Sequence, residues 1–146
     1  NPDPTMNTER YLPLAGRVLI GLPFLLFGLG KAAAYEPTVG MIEAAGVPLA
    51  PLAFLGTVTL EVLGGALLLA GFKVRPVAVL LAAFSVIAAF VFHGNVADQA
   101  HFVHFFKNLM MAGGLLQITA FGAGAFSLDR YLERRRANAG RFAAAY

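Results

Sequence analysis

The sequence predicts an all-α integral membrane protein: a four-helix bundle of transmembrane spans with both termini in the cytoplasm. Three observations carry that prediction. Hydrophobic residues make up 58% of the 146 residues and charged residues 13%, with a mean hydropathy of +0.70, more apolar surface than a soluble core of this length can hide. Four apolar stretches each approach the ~20 helical residues needed to cross ~30 Å of hydrocarbon. With four crossings, Arg10, Arg17, Lys73, Arg75, Arg130, Arg134, Arg135, Arg136 and Arg141 fall on one side and only Lys31 and Lys107 toward the other. Positive residues stay cytoplasmic, which sets the orientation of a multi-pass protein with both ends inside.

The length suits one domain. Residues 1–5 read as an addition ahead of a natural start at Met6, residues 6–130 as the four-span membrane domain, and 131–146 as a basic cytoplasmic tail. The first span covers 12–33, too long for a signal-peptide core and followed by no A-x-A cleavage pattern. Residues 35–48 carry Glu36, Glu43, Gly40 and Gly46 beside Val39, Met41 and Ile42, too short and polar to span, and form a short interfacial helix or turn. The second span is 50–72. The third, 76–94, opens on Pro76, suited to a first turn, and stops at Gly94-Asn95; the fourth, 98–121, stops at Gly122-Ala123-Gly124. Ser127 is placed to cap a basic helix from 128 to about 138 with Asp129 in its first turn. Its Arg134-Arg135-Arg136 run anchors that end among anionic headgroups.

The formal charge of +3 and pI near 9.6 do not point to a nucleic-acid partner, because the basic residues sit at the ends of apolar segments and not on an aromatic-interleaved face. The partner they imply is the lipid bilayer. With no cysteine, thiol exchange, iron–sulfur ligation and thiolate metal sites within this chain are excluded.

Glu61 is the most informative residue, alone among charges in the apolar run 49–72. A carboxylate at membrane depth costs at least ~2.5 kcal/mol, so it needs a partner or a task. Helical spacing puts Arg17, Gly21, Phe24, Gly28 and Lys31 on one stripe of the first span, Thr57, Glu61, Gly64, Gly65 and Leu68 on one stripe of the second, and His104, Lys107, Met111, Gly114 and Gln117 on one stripe of the fourth. Small residues beside polar ones mark tight helix seams in lipid; they permit a homodimer without requiring one. Counting ~1.5 Å per residue puts Glu61 level with Lys107, with Lys31 and His93 nearer the outer surface. The candidate ligand-binding residues are therefore Glu61, Lys107, His93, Lys31 and Asn108, in the outer half of the bundle.

Two readings of that cluster stand side by side. In one, Glu61 pairs with Lys107 or Lys31 only to hold helix register. In the other, the surplus positive charge forms a pocket for a quinone headgroup, a carboxylate or a sulfur oxyanion, with His93 as hydrogen-bond partner or proton relay. Arg17 and Asp129 are expected to form a structural ion pair between the first span and the tail helix. His93, Asp98, His101 and His104 follow the spacing H-x4-D-x2-H-x2-H, which matches no metal motif, so no metal site is expected. No residue is assigned a catalytic role.

The order of these elements resembles the DoxX family of small bacterial four-helix membrane proteins. The resemblance rests on Arg17 and Gly28-x-x-Lys31, Ala45-Gly46-x-Pro48, Glu61-x-x-Gly64-Gly65, Gly71, Arg75, His93, Lys107-Asn108 before Gly113-Gly114, and Gly122-x-Gly124-x-x-Ser127-Leu128-Asp129. It implies a four-helix protein of the cytoplasmic membrane. It also implies, by analogy with a branch associated with thiosulfate:quinone oxidoreductase and with members in oxidative-stress complexes, a redox-associated role beside a soluble or membrane partner, with quinone as the cofactor to look for.

Overall fold

In the computed structural model, which describes residues 4–143 and the side chains of 7–141, every regular element is helical. Six helices follow one another: α1 (Pro4–Ala33), α2 (Tyr35–Ala44), α3 (Ala50–Ala70), α4 (Val74–His93), α5 (Gln99–Phe121) and α6 (Leu128–Ala143). Residues 1–3 of the expected added leader lie outside the described residues, and α1 already includes Pro4 and Thr5.

Among the described residues, three helical segments are long and apolar enough to cross a membrane: Asn7–Ala33, Ala50–Ala70 and Val74–His93. The fourth expected span, α5, has 23 residues but carries His101, His104, Lys107, Asn108 and Gln117, which dilute its apolar character. Large side chains on these helices face outward in numbers that suit lipid, with Leu19 74% exposed, Ile87 61% and Leu116 56%.

The helix ends follow from local chemistry. α3 opens behind Leu49 with Pro51 in its first turn and closes on Gly71, whose φ of 71° is the left-handed conformation glycine tolerates best. Pro76 sits within the first turn of α4, which starts at Val74, two residues before the expected start. Asp98 caps α5 by accepting from the amides of Ala100 and His101, both at 3.1 Å. Ser127 Oγ accepts from the Arg130 amide at 3.2 Å, the expected cap of α6, and that helix runs on to Ala143, past the expected end near 138.

α1 packs most extensively on α3, and α4 on α5; α3 against α4 and α1 against α5 complete the ring. Glycine makes the first seam. A Cβ on Gly65 would lie 2.6 Å from the Leu25 nitrogen and 2.7 Å from the Gly21 oxygen, so the α1 and α3 backbones touch where no side chain intervenes. Across the other pair, Ala78, Ala82 and Ala89 of α4 let α5 approach, and Phe24, Leu68, Leu81 and Leu115 fill the centre. α2 lies across one end, burying Thr38, Val39 and Ile42 beside Ala50 and Phe92.

Candidate functional site

The stripes expected on α1 and α3 are the buried ones: Arg17, Gly21, Phe24 and Gly28 on α1, and Glu61, Gly64, Gly65 and Leu68 on α3. Because Gly28 has no side chain, α1 lies directly against Glu61; a Cβ there would meet the Glu61 Cβ and the Val62 nitrogen at 2.9 Å. One turn on, Lys31 Nζ donates to Glu61 Oε1 at 2.6 Å. Of the two lysines proposed as partner, Lys31 is therefore the one in contact, since the glycine seam brings it closer than α5 brings Lys107.

The Glu61 side chain is 4% exposed, and its second oxygen, Oε2, is buried with no hydrogen-bond partner. It borders a cavity of about 540 Å³. All five sequence-predicted residues, Lys31, Glu61, His93, Lys107 and Asn108, line that cavity. Phe24, Phe27, Phe84 and Phe92 wall it, Met110 and Met111 flank it on α5, and Met41 and Ile42 of α2 close it. A polar floor under aromatic and thioether walls is the usual make-up of a small-molecule pocket.

The cationic side is open. Lys107 makes no ion pair or hydrogen bond among the described residues. Asn108 donates to the His104 carbonyl at 3.0 Å, which fixes its amide on the cavity wall. His93 stacks on His104 with ring centres 5.0 Å apart and lies 5.6 Å from His101, while its Nδ1 is buried and unpartnered. Among the described residues no three His, Cys, Asp or Glu side chains are grouped to hold a metal ion.

On α5 the expected stripe is rotated. Its deeply buried positions are Ala112 and Leu115, whereas His104, Lys107 and Gln117 are exposed, His104 and Lys107 onto the cavity. Two further residues line the same space: Thr57, which helical spacing put on the Glu61 stripe but not among the ligand-binding candidates, and Thr38, which sequence reasoning passed over. Thr38 shares the buried face of α2 with Val39 and Ile42, an i, i+1, i+4 pattern that carried the signal.

At the opposite end the expected Arg17–Asp129 ion pair is not formed. Arg17, 1% exposed, donates through Nη1 to the carbonyls of Leu68 at 2.7 Å and Leu69 at 3.1 Å, and through Nη2 to that of Phe126. Asp129 accepts instead from the amides of Lys73 at 2.7 Å and Val74 at 3.1 Å, capping α4. The physical reason is that the last carbonyls of α3 and first amides of α4 have no helical partners, and each ion is drawn to the helix end of opposite partial charge.

Fold and site together define a multi-pass helical membrane protein with a polar cavity between its helices. The sequence profile of the DoxX family matches residues 12–94, more than half of the chain, and the chain belongs to that family. It is similar to two inner membrane proteins of Escherichia coli (strain K12). With YqjF it is 39% identical over 84% of this chain and 92% of the relative; with YphA, 33% identical over 86% of this chain and 99% of the relative. No solved structure matches it significantly. This is accordingly a bacterial inner-membrane protein. The family match ends at the close of α4, so Lys107 and Asn108 lie beyond it.

Proposed function

We propose that the chain crosses the membrane four times, through α1, α3, α4 and α5, with both termini cytoplasmic. On this reading it is a redox-associated subunit whose cavity holds a quinone-like headgroup or a small anion, with electrons supplied by a soluble or membrane partner. The observation that carries the reading is the Glu61 carboxylate: one oxygen is held by Lys31, and the other is unpaired at a cavity that also presents Lys107 and His93. On this reading a quinone ring would lie between the phenylalanine walls, its carbonyls accepting from Lys107 and His93. Two electrons from the partner and two protons from water would convert it to the quinol, one hydroxyl of which would donate to Glu61 Oε2. The fourth crossing is supported by the outer face of α5, where Phe102, Phe106 and Leu116 are exposed while Lys107 turns to the cavity.

The test is titration of purified protein with a short-tailed ubiquinone analogue. Binding to the folded state alone adds ~2.7 kcal/mol at a hundredfold excess over Kd, so Tm should rise by several degrees in the wild type and not in Glu61→Gln. An unchanged wild-type Tm under saturating analogue ends the quinone reading.

One observation favours a second reading, a membrane scaffold or assembly factor with a purely structural polar cluster. The Lys31–Glu61 bond ties α1 to α3 beside the Gly28 contact, where it sets register. There, Glu61→Gln lowers stability and no ligand response exists to lose.

A further inference from the structure

We infer that a second site, at the opposite end of the molecule, binds a phosphate-bearing group, foremost the headgroup of an anionic phospholipid. A cleft of about 570 Å³ opens between the α3–α4 turn, the α5–α6 loop and the first turns of α6. Five cations line it, Lys73, Arg75, Arg130, Arg134 and Arg136, against two carboxylates. Both carboxylates are already committed: Asp129 to the amides of Lys73 and Val74, and Glu133 to Arg130 at 3.3 Å. Lys73, Arg75, Arg134 and Arg136 are left without an ion pair among the described residues.

These four come from two separate parts of the chain, the α3–α4 turn and α6, and a positive-inside count needs none of them to converge. The convergence is built. Asp129 docks α6 onto the turn, and the Asp129 amide in turn donates to the Gly71 carbonyl at 2.9 Å. Gly122, with a φ of 82°, lets the loop pass close to the Arg75 guanidinium; a Cβ there would lie 3.4 Å from both Nε and Nη2. Planar guanidinium groups offer paired N–H donors that match the oxygens of a phosphate.

The setting selects the source. The cleft lies where α3 and α5 end and α4 begins, at headgroup level on the four-crossing reading, and Phe121 on its rim is 80% exposed. A phosphodiester in the cleft with its acyl chains running past Phe121 uses both features, whereas free phosphate uses only the cations.

The experiment compares delipidated full-length protein in neutral detergent with phosphatidylglycerol or phosphatidylcholine added at equal mole fraction, reading Tm and lipid retention by native mass spectrometry. Phosphatidylglycerol should raise Tm and be retained, and phosphatidylcholine should do neither. The double variant Arg75→Gln/Arg134→Gln should weaken retention roughly tenfold or more, while Arg135→Gln/Arg141→Gln, which removes the same charge outside the cleft, should keep it. A parallel arm adds inorganic phosphate against chloride at matched ionic strength; a shift there as well extends the site to soluble phosphates. Equal retention of the two lipids by the wild type, or equal loss in the two double variants, overturns the proposal and leaves diffuse surface attraction.

Discussion

Two buried ions sit at opposite ends of the α1–α3 seam, and their surroundings differ in kind. Arg17 is clasped by backbone: three carbonyls, from the end of α3 and the α5–α6 loop, take both of its terminal nitrogens and Gly71 lies against it, so that of its guanidinium nitrogens only Nε is left without a partner. Glu61 is clasped by a side chain, Lys31, that is itself 28% exposed, and it keeps one oxygen unpaired at a cavity. The difference teaches how to separate a structural ion from one available to a ligand. An ion that satisfies helix-end carbonyls cannot be removed without leaving several buried acceptors unpaired, whereas an ion paired at a cavity wall can hand its partner to water or ligand.

That contrast orders the consequences of substitution. Arg17→Ala should cost most, about 3 kcal/mol, because three carbonyls lose a charged donor at once; reversible unfolding in detergent measures it, and Arg17→Lys should restore only part. Gly65→Val comes next at about 2 kcal/mol, since its side chain must displace the α1 backbone, and it should lower Tm without altering ligand selectivity. Glu61→Gln should cost only about 1 kcal/mol, as the freed Lys31 ammonium is hydrated through the cavity. Should Glu61→Gln unfold the protein as readily as Arg17→Ala, the two ions are equivalent and the distinction falls. Lys107→Met should stay within ~0.5 kcal/mol of wild type because no bond is lost, yet weaken binding of the quinone analogue several-fold; unchanged binding would confine the recognising groups to α1, α3 and α4.

The two ends also differ in how far residue order exposed them. At the cavity end, Lys31, Glu61, His93, Lys107 and Asn108 were all placed on the same space by spacing and depth alone, because a helix converts sequence separation into height and azimuth. The stripe on α5 came out rotated for the same reason in reverse: with polar and apolar residues on most of its faces, periodicity does not choose which face packs. At the other end the pairing of Arg17 with Asp129 failed. Complementary charge and matching level were both present, but each ion had a nearer suitor in a helix terminus. Lys73 shows the consequence: its φ of 46° is an uncommon conformation for a residue with a side chain, and Asp129 bonds its amide in that very turn.

By itself the sequence determined the class of the protein, the number and approximate limits of its long helices, and the burial of the Arg17 and Glu61 faces. Those properties follow from composition, period and charge placement, all of which act locally along the chain. Only the tertiary structure decided that Lys31 and not Lys107 holds Glu61, that α2 closes the cavity, and that α6 docks beside the α3–α4 turn to gather four unpaired cations. These depend on which backbones can touch, and contact is set at glycines and helix ends by a few tenths of an ångström that no residue spacing encodes.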